Sequence, residues 1–185
     1  MTGGKPAIFL DRDGTLILET GYLHEPEKVK LIPGAGEAVQ RLANGGFELF
    51  IVTNQAGIGR GYFTEAQMHA TNERVCAEFS KFEVTFKKIY FAPEAPDQPS
   101  RNRKPSPQMI FDARDEFGID LSASYMVGDK AIDVECGINA GVKLSVLVRT
   151  GYGREHESQL GQAHHPYAIA DTLNDFANLA LGQAE

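Results

Sequence analysis

The sequence predicts an α/β fold: a parallel sheet, wound doubly, with helices on both faces. Three observations predict it. Short apolar runs recur along the chain and alternate with stretches of helical periodicity. Helix-length segments separate the runs, which implies parallel pairing through right-handed crossovers. Three of the runs end in distinctive polar sets, "FLDRDGT", "FIVTNQ" and "YMVGDK". In open α/β sheets, ligands bind beyond the carboxyl ends of the strands.

The elements follow in order. Ala7–Leu10 reads as the first strand. Gly34–Asn44 places Ala35, Ala38, Val39 and Leu42 at helical spacing and stops at Gly45-Gly46. Phe47–Gln55 is the second strand with a polar turn behind it. Thr64 caps a helix running to Phe79, with Met68, Ala70, Val75 and Phe79 available for its buried face. The glycines of "AGIGRGYF" read as an irregular loop between them. "TFKKIYFA" is the third strand. Ser106 opens a helix with Pro107 in its first turn, ending at Phe117 before Gly118. "SYMVGDK" is the fourth strand, followed by a helix over Ala131–Ala140. "KLSVLVRTG" is the fifth strand, "YAIA" a short last one, and Leu173–Leu181 a terminal helix. The proline-rich "APEAPDQPSRNRKPSP" is too short to separate domains and reads as a rigid surface loop. Residues 1–185 are therefore expected to form a single domain without repeats.

Composition narrows the function classes. A chain of 185 residues that is 42% hydrophobic and 23% charged is of globular type. Its net charge of −7 argues against a nucleic-acid binder, which needs a basic patch. Cys76 and Cys136 form no CxxC pair, so neither a disulfide framework nor a cysteine zinc site is expected. Cys136 is expected to pack on a helix face. No cationic-then-apolar leader and no run of about 18 apolar residues is present, so a cytoplasmic protein is expected.

If strands one, two and four are neighbours, Asp11, Asp13, Thr53, Asn54 and Asp129 converge on one edge, and Lys104, just before a helix, can reach it. Carboxylates, a hydroxyl, an amide and a lysine suit a hard divalent cation together with a phosphate. Each motif also has a plainer reading on its own. Asp11 and Asp13 can form a turn, Thr53-Asn54 can close a strand, and Arg103-Lys104 can be a solvated pair. Asp133 can sit in a helix's first turn because the dipole favours it. Their joint occurrence favours the site. His24, His69, His156, His164 and His165 read as surface or loop residues, with "AHHP" a weak metal signal.

"DRDGT", "TNQAG", "RKPSP" and "GDKAID" resemble, in order, the four motifs of haloacid dehalogenase (HAD)-like phosphatases, across Ile8–Arg149. The arginine inside "DRDGT", the run "TNQAGIGRGYF", the pair "RKP" and the segment "GYLHEPEKVKLIPGA" are similar to one branch. That branch contains D-glycero-D-manno-heptose 1,7-bisphosphate 7-phosphatase and histidinol phosphatase. The resemblance implies a Rossmann-like sheet and a Mg²⁺ ion held by the Asp11 carboxylate, the Asp13 carbonyl and Asp129. It implies Asp11 as the nucleophile that forms an aspartyl-phosphate, and Asp13 as general acid and base. Thr53 would hydrogen-bond the transferring phosphoryl group and Lys104 balance its charge. Lys130 and Asp133 would support the metal end. The segment between the first two motifs has no room for a cap domain, so loops should meet the substrate. Expected contacts are Arg12, Glu19, Thr20, Gly21 and Tyr22 on one side, and Asn54, Gln55, Arg60 and Arg103 on the other.

One departure stands out. The loop before "RKP" in that branch carries cysteines and a histidine that bind zinc. Here it has neither, so no structural zinc is expected, and Pro93, Pro96 and Pro99 are expected to stiffen it. The partner expected is a small phosphorylated sugar or similar metabolite, with no nucleic acid, no membrane and a monomeric chain. The alternatives are a histidinol-phosphate phosphatase, in which Glu19 or Glu94 contacts the ammonium group, a nucleic-acid 3'-phosphatase, and a catalytically silent binding module.

Overall fold

A computed structural model describes residues 4–160 and 166–183. Six strands form one sheet: β1 (Ala7–Leu10), β2 (Glu48–Asn54), β3 (Lys88–Ala92), β4 (Tyr125–Gly128), β5 (Leu144–Val148) and β6 (Tyr167–Ala170). Their order is β3-β2-β1-β4-β5-β6, and every neighbouring pair is parallel. β1 lies between β2 and β4, with Ile8 opposite both Leu49 and Tyr125. The chain winds outward from β1 in both directions, so the β1/β4 boundary is where strand order reverses. A crevice opens there at the carboxyl ends.

Side-chain alternation builds a core on each face. Ile8, Leu10, Leu49, Ile51 and Val127 join a cluster with Val39, Leu42, Val75, Phe79 and Phe176. Phe9, Phe50, Val52 and Met126 face Met109, Ile110, Ala113 and Cys136 on the other side. Helices supply the covers: α1 (Ala35–Asn44), α2 (Ala56–Gly59), α3 (Glu65–Ser80), α4 (Gln108–Phe117), α5 (Ala131–Ala140), α6 (Gly153–Leu160) and α7 (Leu173–Ala180). The expected apolar stripe of α1 is buried as read.

Several elements differ from the sequence reading. The glycine-rich run after β2 is helical, forming α2, because Arg60 N–H donates to Ala56 O and Tyr62 N–H to Gly57 O. α6 stands where no element was expected. On α3, Ala70 is exposed, and Thr71 and Asn72 take the inward positions beside Met68, Val75 and Phe79. β3 starts at Lys88, since Val84 N–H turns back onto Phe79 O before the strand begins. Between β1 and α1 the chain doubles back, with Leu18 N–H donating to Lys30 O and Ile32 N–H to Leu16 O. One 3₁₀ turn, Pro26–Lys28, lies in that segment, and no cap domain. Among the described residues no helix is long and apolar enough to cross a membrane. His164 and His165 lie outside the described residues.

Thr64 starts α3 with a full capping box, its hydroxyl accepting from Gln67 N–H while Gln67 Oε1 accepts from Thr64 N–H. Replacing Thr64 with alanine should lower stability by about 1 kcal/mol and Tm by roughly 2–4 °C, measured by circular dichroism melting.

Candidate active site

β1 carries Asp11 just past its end, where the Asp11 N–H still donates to Val127 O of β4 at 2.9 Å. β4 delivers Asp129, and the first turn of α5 delivers Asp133. Carboxylate oxygens of Asp11, Asp129 and Asp133 lie within 4.8 Å of one another, all buried. Glycines, among them Gly151 against Asp129, allow this approach. A side chain on Gly14, which has φ +83°, would overlap the Asp129 carboxylate, and one on Gly128 would overlap Asp133.

Lys104 enters the same cluster from the loop before α4. Its Nζ lies 2.5 Å from Asp11 Oδ1 and 2.6 Å from Asp133 Oδ1, and donates to Val52 O at 2.8 Å. Burial alone would lower the lysine's pKa, but the Asp11 and Asp133 charges outweigh it and raise the pKa. Asp133 Oδ2 accepts from Lys130 N–H at 2.9 Å. Carboxylates outnumber the buried ammonium, and their acidities respond. Burial pushes Asp11 up to about 6, with Lys104 opposing. Burial, then Asp11 and Asp133, push Asp129 up to about 8. Asp129 Oδ2 accepts from Tyr152 N–H at 2.9 Å, whereas Asp129 Oδ1 is buried with no hydrogen-bond partner. An orphaned carboxylate oxygen among crowded anionic groups fits a hard divalent cation.

Asp13 belongs to a separate network. Its carboxylate accepts from Arg12 Nε at 3.1 Å, Arg12 Nη2 at 3.2 Å and Gln55 Nε2 at 3.0 Å. Arg12 also donates to Asn72 Oδ1 at 2.7 Å and Gln55 Oε1 at 3.1 Å. Gln55 Nε2 donates to Thr53 Oγ1 at 2.8 Å, which leaves the threonine's own proton available.

Several of these groups border a cavity of about 310 Å³, with Asp129, Thr53 and Asn72 buried behind its lining. Asp11, Asp13, Lys104, Lys130 and Asp133 are among its lining residues, together with Glu19, Gly21, Tyr22, Arg60, Arg103 and Tyr152. The expected substrate contacts divide. Glu19, Gly21, Tyr22, Arg60 and Arg103 border the cavity, with Glu19 Oε2 3.4 Å from Lys130 Nζ. Thr20 is exposed and stands outside the lining. Arg12 also borders the cavity, with its side chain 1% accessible and its guanidinium bonded to Asp13, Asn72 and Gln55. Asn54 and Gln55 border the cavity, yet their amides are committed. Asn54 Oδ1 accepts from Lys104 N–H at 3.0 Å and its Nδ2 donates to Lys104 O at 3.2 Å. Thr53 is buried one residue before them. The loop before Arg103 offers no Cys or His, and Glu94 and Ser100 are bonded to one another. That loop does not suit zinc.

Known proteins are similar to this chain in sequence and fold. A HAD-hydrolase-like family model matches residues 101–176. The D-glycero-beta-D-manno-heptose-1,7-bisphosphate 7-phosphatase of Escherichia coli K12 is 44% identical over 158 residues, covering 82% of this chain and 83% of that protein. The chain belongs to the HAD-like phosphatases. The Yersinia pestis relative of the same name is 43% identical over 82% of this HAD-like chain and 84% of its own. A crystal structure of D,D-heptose 1,7-bisphosphate phosphatase from B. bronchiseptica, complexed with magnesium and phosphate, superposes with a TM-score of 0.89 at 28% identity. It covers 97% of this chain and 99% of its own.

Sequence reasoning missed three parts of this HAD-like site. Asn72 looked like one polar residue among many on α3. Thr150, whose hydroxyl donates to Gly14 O at 2.7 Å, and Tyr152, whose N–H holds Asp129, lie beyond the recognised motifs. The signal available was "RTG" behind a strand end, at the edge where the other motifs gather.

With folded-state pKa values of about 6 and about 8 against an ordinary 3.8, Asp11 and Asp129 keep protons that the unfolded chain releases. Their contribution is complete below pH 4 or so and is lost as pH rises through about 8. In chelator, the wild type should lose on the order of 1 kcal/mol per pH unit between pH 6 and 8. Asp129→Asn should flatten that slope in differential scanning calorimetry, and Mg²⁺ should stabilise the wild type more at pH 8 than at pH 6.

Proposed function

We propose that this chain is a Mg²⁺-dependent phosphomonoesterase that works through an aspartyl-phosphate and removes the 7-phosphate of D-glycero-D-manno-heptose 1,7-bisphosphate. One observation carries the reading: Asp11, at the open edge of the sheet, is gripped by a buried lysine and crowded by two further carboxylates. The likeness to the heptose bisphosphate phosphatases supports the substrate.

Each residue then has work suited to its surroundings. The Asp11 and Asp129 carboxylates with the Asp13 main-chain carbonyl would hold the Mg²⁺. Asp133, with both oxygens already engaged by Lys104 and Lys130, fixes the cluster from behind. The bound ion supplies charge neutralisation on the phosphoryl oxygens. Asp11 attacks phosphorus, its carboxylate held against rotation by Lys104. Lys104 stays protonated and offsets charge on the transferring group. Thr53 donates its hydroxyl proton to a phosphoryl oxygen, a contact typically worth about 3 kcal/mol in the transition state. Asp13 gives a proton to the leaving sugar alkoxide and then takes one from the water that hydrolyses the aspartyl-phosphate. Carrying nucleophile and acid on separate groups two residues apart lets each be tuned alone.

Arg60 and Arg103 fit the second phosphate. Burial and then the Arg60 charge lower the Arg103 pKa, so an anion between the two guanidiniums relieves their repulsion. The histidinol-phosphate alternative fares worse, because it needs a spare carboxylate. Glu19 is engaged by Lys130 and by Gly21 N–H, and Glu94 by Ser100.

The test is phosphate release with and without Mg²⁺ from both anomers of heptose 1,7-bisphosphate, histidinol phosphate and a 3'-phosphorylated oligonucleotide. Preference for a heptose anomer, loss of turnover in Asp11→Asn, and a fall of about 10²–10⁴-fold in Asp13→Asn are expected. Preference for either other ester would overturn the substrate, and no turnover of any would overturn the enzymatic reading.

A further inference from the structure

Arg103 sits on an irregular loop, so its guanidinium is only as well placed as the loop that carries it. Such a loop must satisfy its own backbone donors locally. Here one hydroxyl serves as the hub. Ser100 Oγ donates to Glu94 Oε2 at 2.7 Å and accepts from Asn102 N–H at 3.3 Å and Arg103 N–H at 3.0 Å. Arg103 Nη1 then donates to the Glu94 carbonyl at 3.1 Å. The Glu94–Ser100 pair therefore grips Arg103 twice, once at its main chain and once at its guanidinium.

The hub is itself anchored. Gln98 Oε1 accepts from Ala95 N–H at 2.7 Å, closing the turn between Glu94 and Ser100. The Pro93 carbonyl accepts from Gly59 N–H of α2 at 2.8 Å. Toward the chain's other end, Asn54 clasps both main-chain groups of Lys104. The segment thus hangs between α2 and the end of β2, with Ser100 at its centre. The prolines constrain it, but they give Arg103 no direction.

We infer that Ser100 is a positioning residue: through its bonds to Glu94 and to the Arg103 main chain, it aims the Arg103 guanidinium at the substrate. This rests on the reading of Arg103 as a substrate contact. Ser100 touches no reacting atom, so its loss acts on substrate capture and leaves the chemical step alone. Removing the hydroxyl strands Glu94 Oε2 and two N–H groups, and the arginine loses one of its two holds.

The experiment is a double-mutant cycle. kcat and KM are measured with Mg²⁺ on whichever phosphate ester of the panel above has the highest kcat/KM. The proteins are wild type, Ser100→Ala, Ser100→Thr, Arg103→Ala and Ser100→Ala/Arg103→Ala. Ser100→Ala should raise KM about fivefold with kcat within about twofold, and Ser100→Thr should restore KM. In the Arg103→Ala background, Ser100→Ala should add nothing. Melting curves verify that each variant is folded. Should Ser100→Ala not fold, Ser100→Cys, which fills the space with a poor hydrogen-bonding group, should give the same KM-only pattern. A Ser100→Ala penalty that persists undiminished without Arg103, or an unchanged KM in Ser100→Ala, would overturn the inference. Wild-type kinetics in Arg103→Ala alone would overturn the contact reading itself, and the inference with it.

Discussion

A lysine buried between two aspartates is the constraint around which this structure is arranged. Taking ions out of water is expensive, and their mutual attraction offsets the cost only if geometry is tight and remaining lone pairs are met. The tightness is visible in every neighbour of the Lys104 ammonium, which reaches Asp11, Asp133 and the Val52 carbonyl together. β1 must lie between β2 and β4 for those groups to meet, and the order reversal of the sheet puts it there. Gly14 and Gly128 follow as necessities of space, not as flexible joints. The apolar layers on both faces supply the stability that lets such an edge exist.

The fold was legible because its signals were redundant. β1, β2, β4 and β5 are buried strands whose hydrophobic runs leave little choice of period, and α1 and α5 announce themselves by spacing and by glycine stops. What escaped had weak local signals. α2 is a short turn of small residues, held by its neighbours more than by propensity. α6 is polar along most of its length and shows no apolar stripe. Ala70 was misassigned because α3 buries two polar residues, and a stripe search scores only apolar ones.

The candidate site was legible where chemistry concentrates at strand ends and obscure where it depends on partners. Asp11, Asp129 and Lys104 could be picked out because they occur together with the other polar strand ends, although each alone has a plainer reading. Arg12, Asn54 and Gln55 could be placed near the edge, but nothing in their order says that they turn toward the protein. That depends on Asn72 and the Lys104 main chain, 60 and 50 residues away in the chain. Thr150 and Tyr152 escaped because they act through a backbone group or on one.

The Arg12 network has a further consequence. Asp11 takes its position from the sheet and Lys104, whereas Asp13 is held by Gln55 and by Arg12, which α3 braces through Asn72. Two aspartates separated by a single residue are thus braced by different walls of the building. In the proposed mechanism the nucleophile and the acid-base group therefore draw on separate supports, so damage to one need not spread to the other. A disturbance on the α3 side would reach the proposed proton-handling group first, slowing both departure of the sugar and the later attack of water, while the grip of Lys104 on Asp11 stayed intact.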